Sequence, residues 1–167
     1  MKNTNLSIAD HWSASLFTME IEDAVARCLA NGVSGAQTHP ADGASDVSFK
    51  DFGFEFSATD GIGVDCIRFH WESELGSFAA VLRLGVRLGA TRESVHEALG
   101  KPDSIGKRGI DEFGNEMFDT DVYELAEATA YFVYNDNSEF NELCLVAKDR
   151  FNPDSLWRRV VGIWFGK

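Results

Sequence analysis

The chain has 167 residues, 44% apolar and 12% aromatic, which is enough to build the core of one domain of ordinary size. Its 27 acidic residues outnumber 15 basic ones, giving a formal net charge of -12. This balance argues against binding to nucleic acid or to an anionic bilayer, because both depend on Lys and Arg side chains. The same charge would favour the approach of a basic protein.

The N-terminal sequence MKNTNLSIADHW lacks the apolar run of a secretion signal. Further along the chain, no stretch approaches the roughly 20 apolar residues that a membrane-spanning helix needs. We therefore expect a cytoplasmic protein that has no membrane partner.

The first predicted element is an amphipathic helix over residues 18–32. Its apolar residues recur at helical spacing, Thr18 can cap its start, and Asn31 with Gly32 supplies the end. Residues 33–44, rich in Gly, Ser, Asp and Pro, are predicted to form a loop. A turn is predicted after it at Asp60-Gly61, between two strand-like runs.

A second helix is predicted over residues 91–100, with Thr91 as its cap and with Gly100 and Pro102 ending it. The acidic, glycine-containing stretch 104–119 is predicted to be a loop or the tip of a hairpin. The apolar tail, residues 157–165, fits either a final strand or a short docked helix. Five strands are predicted, over residues 47–57, 64–71, 122–126, 129–135 and 143–148.

The order of these elements predicts an α+β fold. Each half of the chain would place one helix before antiparallel strands, and the two helices begin 73 residues apart. We therefore expect two tandem helix-plus-antiparallel-sheet units packed as a single domain over residues 1–167, with possible sub-units at 1–80 and 81–167.

Residues that commonly carry chemistry are present but scattered. No nucleotide-binding loop, nucleophile elbow or zinc-protease motif occurs, so we expect no enzyme and no cofactor. Acidic residues around 111–121 lack the ligand spacing of a calcium loop, and we expect no metal. Cys28, Cys66 and Cys144 are expected to be reduced core thiols, His70 to be partly buried, and His96 to lie on the surface of the second helix.

One segment carries a family resemblance: residues 88–103, LGATRESVHEALGKPD, followed by strands that contain Tyr123 and residues 132–135 and 143–146. This pattern resembles the helix and trailing strands of the SmpA/OmlA (BamE-like) superfamily. With a preceding half like residues 46–71, it is also similar to cytoplasmic immunity proteins encoded beside bacterial polymorphic toxins. The superfamily's lipoproteins carry an export signal and a lipidated Cys, which this sequence lacks, so the resemblance implies the immunity role.

The negative charge is concentrated in one part of the sequence. Residues 103–142 hold 11 acidic and 2 basic residues, a balance of -9. Large apolar residues alternate with these acids, as in an interface anchored by aromatic side chains and ringed by charge. The predicted partner-binding residues are Asp111, Glu112, Phe113, Glu116, Phe118, Asp119, Asp121 and Tyr123.

Two functions from different classes follow from these residues. The first is an immunity protein that neutralises a cognate toxin, such as a basic nuclease, by covering its cleft with the acidic face. The second is a binding or scaffolding module of a cytoplasmic assembly, for which Trp157, Trp164 and Phe165 could form a docking patch. A simpler alternative stays open for the acidic stretch: its aromatic residues fasten the loop to the core, and its acids are merely solvated. The sequence leaves the oligomeric state undetermined.

Overall fold

The computed structural model describes residues 12–41, 43–70, 86, 89–110 and 116–148. Within them the chain forms two α-helices and ten β-strands. The helices are α1 (Ile21–Ala30) and α2 (Arg92–Leu99). The strands are β1 (Gln37–Ala41), β2 (Ala44–Phe49), β3 (Phe54–Thr59), β4 (Gly63–His70), β5 (Ser104–Gly106), β6 (Gly109–Ile110), β7 (Glu116–Met117), β8 (Thr120–Glu124), β9 (Ala128–Tyr134) and β10 (Phe140–Ala147).

Eight of these strands form one antiparallel sheet in the order β1-β2-β3-β4-β10-β9-β8-β5. The first four strands are a meander, and the pairing of β4 with β10 joins them to the strands from the second half of the chain. We call this β4–β10 pairing the seam; it aligns His70 with Glu142 and Cys66 with Val146. Within the described residues, β6 and β7 pair separately as a two-stranded extension.

This architecture corrects the predicted fold class. Two tandem helix-plus-sheet units were expected, but the described part of the chain is dominated by one continuous eight-stranded sheet with only two short helices. A single apolar cluster contains residues of both helices and of strands on either side of the seam. The prediction was wrong because the pairing of β4 with β10, which merges the halves, depends on contacts between residues more than 70 positions apart.

Strand alternation separates the two faces of the sheet. Phe54, Phe56 and Phe69 are buried against the helices in the main apolar cluster. The residues between them, including Glu55 and Arg68, therefore point to the opposite face. That second face holds a small apolar group and, as described below, a cluster of charged side chains.

The helix predictions succeeded in part. The α2 helix begins after Thr91, whose hydroxyl accepts a hydrogen bond from the Ser94 amide at 3.3 Å, as its sequence predicted. The α1 helix begins only at Ile21, and Thr18 does not cap it. Instead, the Thr18 amide donates to the Val64 carbonyl at 2.8 Å, which commits this segment to the start of β4.

A glycine allows that close approach. Gly63 has φ +81, and a Cβ atom at this position would lie 2.5 Å from the Met19 carbonyl oxygen. Any other residue would therefore combine an unfavourable backbone conformation with a steric clash. Gly63 thus fixes how the segment before α1 meets the sheet.

The remaining differences concern strand boundaries. Residues 33–44 were predicted to be a loop but contain β1, which pairs with β2. The predicted strand at 47–57 is divided into β2 and β3 by a short 3-10 turn, Lys50–Phe52. Gly53 ends that turn in the left-handed conformation and lets the chain reverse direction. The predicted tail element at 157–165 lies outside the described residues.

Candidate functional site

The predicted acidic stretch forms a hairpin at one edge of the sheet. We call residues 104–124 the edge hairpin: one arm contains β5 and β6, and the returning arm contains β7 and β8. Ser104 pairs with Val122 in the part joined to the sheet, and Ile110 pairs with Glu116 near the tip. In the described part of the chain, β5 is the last strand of the sheet and pairs only with β8.

Two apolar side chains on the arm that contains β5 and β6 are exposed to solvent. Ile105 is 52% exposed and Ile110 is 76% exposed. Within the described residues, the third large apolar side chain exposed in this way is Leu29 on α1. Single exposed apolar residues are common on protein surfaces, but two on one projecting hairpin form a candidate contact surface.

Arg108, on the first arm of the edge hairpin, contacts Phe118 and Asp119 on the returning arm and so holds the two arms together. Its backbone amide donates to a carboxylate oxygen of Asp119 at 3.1 Å. Its guanidinium lies over the Phe118 ring, 5.5 Å from the ring centre, and forms an ion pair with Asp136. Phe118 and Asp119 are both half-buried.

The other predicted partner-binding residues have different positions. Asp111, Glu112 and Phe113 lie outside the described residues, and Glu116 begins β7. Asp121 and Tyr123 are buried, with 0% and 2% of their surface exposed. Both occupy the helix-facing side of β8, so in this structure they belong to the interior of the protein.

Asp121 is fully surrounded by hydrogen-bond donors. Arg92 donates from Nε and Nη2, with the shortest N–O distance at 2.5 Å, and the Tyr134 hydroxyl donates at 2.8 Å. His96 Nε2 lies 2.6 Å from Oδ2, the same carboxylate oxygen that accepts from Tyr134, whereas the shortest Arg92 bond goes to Oδ1. Burial alone would raise the pKa of Asp121, but the hydrogen bonds from Arg92, His96 and Tyr134 outweigh burial and lower that pKa.

Tyr123 also fastens α2 to the sheet. Its hydroxyl donates to the Gly100 carbonyl at 2.9 Å, directly after the helix, and its ring packs edge-on against Phe132. A sequence signal for both roles was present, because Asp121 and Tyr123 alternate on a strand while Arg92 and His96 are four apart on a helix. His96, predicted to be a surface residue, keeps 37% of its side chain exposed while contacting Asp121.

Sequence reasoning missed a second group of charges on the opposite face of the sheet. We call Glu55, Arg68, His70 and Glu142 the seam cluster, because they lie on β3, β4 and β10. Arg68 forms an ion pair with Glu55. His70 lies between two carboxylates, with Nε2 3.7 Å from Glu55 and Nδ1 3.6 Å from Glu142. Charged residues inside otherwise apolar strands were the available signal.

Two polar atoms of the seam cluster lack hydrogen-bond partners. Arg68 Nη2 and Glu142 Oε2 are buried and have no hydrogen-bond partner. Burial raises the pKa of Glu142, and the attraction of His70 and Arg68 offsets this only in part. Burial also raises the pKa of Glu55, but the hydrogen bond from His70 and the charge of Arg68 outweigh it and lower that pKa to about 2.

The cysteines are buried and reduced, as predicted: Cys28, Cys66 and Cys144 are all free thiols. Their positions contain one surprise. Cys66 and Cys144, far apart in the sequence, lie on neighbouring strands with their sulfur atoms 3.3 Å apart. They share the face of the sheet that carries the seam cluster.

In the described part of the chain, no group of three or more His, Cys, Asp or Glu side chains is arranged to hold a metal ion. None of its helices has the length and apolar character to cross a bilayer.

The solved structures that resemble this chain include two bacterial proteins. No protein-family model and no curated protein matches the chain. A crystal structure of a DUF4309 family protein (YjgB) from Bacillus subtilis has a TM-score of 0.48 at 16% identity, covering 84% of this chain and 95% of that one. A cysteine-rich secretory protein from Staphylococcus aureus has a TM-score of 0.49 at 11% identity, covering 81% of this chain and 44% of that one.

This chain therefore spans less than half of the staphylococcal protein. Neither protein is described as an immunity protein or as BamE-like, so the resemblance noted from the sequence stays a prediction. Both TM-scores are below 0.5, and neither likeness bears on what this chain does.

Proposed function

We propose that this chain is an immunity protein that neutralises a basic bacterial toxin by stoichiometric binding through its edge hairpin. The observation that carries the proposal is the exposure of Ile105 and Ile110 on one arm of that hairpin. The toxin-neutralising role itself comes from the sequence resemblance to immunity proteins. Binding to a basic protein partner is the part that the hairpin geometry supports.

The exposed isoleucines are suited to anchor a partner. Apolar side chains at the centre of an interface supply most of its binding energy when a partner removes them from water. Phe118, half-buried under Arg108, is a further aromatic side chain of the same hairpin. Ile105 and Ile110 thus join the predicted contact residues, whereas Asp121 and Tyr123 leave that set because they are buried.

The two edges of the sheet also favour this location. The opposite edge, β1, carries Pro40, which lacks a backbone donor and discourages an added strand. The β5 edge carries no proline and presents Ile105. A partner segment therefore finds apolar contacts and backbone hydrogen-bonding groups together at β5.

Charge supports a basic partner. The net charge of -12 accelerates encounter with a positive surface, such as the phosphate-binding cleft of a nuclease. Asp111, Glu112 and Asp119, three of the predicted contact residues, are acids through which this attraction would act. Asp121 contributes little to it, since its charge is compensated by Arg92 inside the protein.

The decisive experiment is co-expression with the toxin domain encoded next to this chain's gene. We expect rescue of cell growth and a one-to-one complex by light scattering. Complex formation without rescue would instead support the scaffolding alternative. If no basic protein is captured by the full chain, the proposed function is wrong.

Location is tested by substitution on the edge hairpin. Ile110→Ser should weaken binding about five- to thirtyfold, since losing the burial of one apolar anchor costs on the order of 1–2 kcal/mol. Leu29→Ser is the matched control, because Leu29 is comparably exposed but lies on α1. Equal affinities for the two variants would place the interface elsewhere.

Charge reversal addresses the acids separately. Lys substitution of Asp111, Glu112 and Asp119 together should slow association and weaken its dependence on salt, as measured by stopped-flow kinetics. Asp121 is left intact in that variant, because removing a buried carboxylate would test folding rather than binding. An unchanged association rate would contradict the charge-based part of the proposal.

A further inference from the structure

We propose that Glu55, His70 and Glu142 form a proton-binding site at the seam, and that loss of the proton from His70 weakens the β4–β10 pairing. This inference is independent of the partner proposed above. It concerns a pH-sensitive device within the sheet, and it rests on the positions and burial of the three side chains.

The geometry favours a doubly protonated imidazole. One ring nitrogen of His70 faces Glu55 at 3.7 Å, and the other faces Glu142 at 3.6 Å. Only the imidazolium ion carries a proton on both nitrogens, whereas the neutral ring has one donor and one acceptor. A neutral His70 would therefore direct a lone pair toward one of the two carboxylates.

Because Glu142 is buried, the loss of the proton from His70 is costly for it. Its side chain is 1% exposed, and its Oε2 atom has no hydrogen-bond partner. Arg68 lies close enough to attract it, but that guanidinium is already paired with Glu55. Without the charge of His70, Glu142 would become a poorly compensated buried anion or would have to take up a proton itself.

The groups that face His70 come from every neighbouring strand. Glu55 approaches from β3, Glu142 from β10, and Arg68 from β4 itself; the Cys144 and Cys66 thiols lie further along the same face, beside and beyond Arg68. Asp46 lies one strand further away, on β2, and accepts a hydrogen bond from Ser57 at 2.5 Å. His70 keeps 33% of its side chain exposed, so its proton can exchange with solvent.

The pKa values of His70 and Glu142 are both raised in the folded protein, and this sets the direction of the pH effect. Burial lowers the pKa of His70, but Glu55 and Glu142 outweigh it and raise that pKa above 6.5. Burial raises the pKa of Glu142 above 4.5. A group with a raised pKa in the folded protein stabilises it at low pH and loses that contribution as pH rises through the folded-state value. The seam should therefore weaken on the alkaline side.

The position of the cluster gives this titration a structural consequence. In the described residues, the seam is the strand pairing that joins β1–β4 to the strands from the second half of the chain. His70 and Glu142 are direct partners in that pairing. Deprotonation therefore acts where the two groups of strands meet, rather than on an outer strand.

The test is the pH dependence of urea unfolding and of the His70 imidazole resonance in the full chain. Between about pH 6 and pH 9, one proton linked to folding should reduce the folding equilibrium constant by up to tenfold per pH unit. Amides of residues 143–146 should lose hydrogen-exchange protection over that range more than amides of residues 54–57. The NMR titration of His70 should give a pKa above 6.5.

Glu142→Gln should flatten this pH dependence and lower the pKa of His70. Glu124→Gln is the matched control, because Glu124 is an exposed carboxylate of the same sheet and should leave both unchanged. A wild-type stability that is constant or rises over the range overturns the proposal, as would identical profiles for wild type and Glu142→Gln. If that variant does not fold, a wild-type His70 pKa at or below 6.5 overturns it equally.

Discussion

Two buried carboxylates in the described part of the chain, Asp121 and Glu142, are held in opposite ways. Asp121 receives hydrogen bonds from Arg92, His96 and Tyr134, and its pKa is lowered. Glu142 is just as deeply buried but has one oxygen without a hydrogen bond, and its pKa is raised. Burial is therefore not what distinguishes them. The number of donors that each carboxylate meets decides whether its charge is stabilised.

The difference also assigns the two groups different structural roles. Asp121 links α2 to β8 and β9 through fixed geometry, so its charge is part of the fold. Glu142 depends on the charge of one histidine across the seam, so its environment changes with pH. A buried ion pair is weak evidence of stability by itself, and the hydrogen bonds around it decide its net effect.

The largest expected effect comes from removing the charge of Asp121, the carboxylate that receives hydrogen bonds from Arg92, His96 and Tyr134. Asp121→Asn should lower the free energy of unfolding by about 3 kcal/mol at neutral pH, because Arg92, His96 and Tyr134 lose a charged acceptor. Urea denaturation would measure this. The control is Asp136→Asn, which removes an exposed acid paired with Arg108 and should change stability by less than about 0.5 kcal/mol. Similar losses in the two variants would contradict the special role of Asp121.

Acid should destabilise the protein by a smaller amount. Asp121 and Glu55 both have lowered pKa values, so each contributes stability above its unfolded-state pKa and loses it as pH falls through the folded-state value. For Glu55 that window runs from about 4.5 down to about 2. By pH 3, about 1.5 units into that window, we expect Glu55 to account for a loss of roughly 2 kcal/mol, seen in thermal unfolding, and a shallower limb in Asp121→Asn.

The smallest expected effect comes from removing the charge of Glu142. At neutral pH, Glu142→Gln should change the free energy of unfolding by less than about 1 kcal/mol, since an amide of similar shape avoids burying a poorly compensated charge. Urea denaturation of Glu142→Gln and Asp121→Asn under the same conditions would show the contrast directly. A loss as large as that of Asp121→Asn would mean that Glu142 is better satisfied than its contacts indicate.

Local elements were predictable to different degrees. The α2 helix follows from its Thr91 cap, its apolar stripe and its glycine end, all of which act within a few residues. The start of α1 was misplaced because Thr18 bonds to Val64, which is 46 positions away. The strand β1 was missed because its sequence, QTHPA, is polar and contains proline, and it becomes a strand only by pairing with β2.

The structure places the predicted partner-binding residues in environments that the sequence did not distinguish. The segment predicted to be a loop or hairpin tip does form the edge hairpin, with Phe118 and Asp119 near its surface. Residues in such a segment look alike in composition, whether they face solvent or the interior. Only the alternation set by the pairing of β8 with β9 sends Asp121 and Tyr123 inward.

By itself, the sequence determined the charge, the apolar content, the capped second helix and the acidic stretch. Those properties depend on composition or on neighbours within one helical turn. Only the tertiary structure decided that both halves share one sheet, that Asp121 is an interior anchor, and that His70 meets Glu142 at the seam. The physical reason is that strand pairing and register are fixed by distant partners, and register decides which face each side chain occupies.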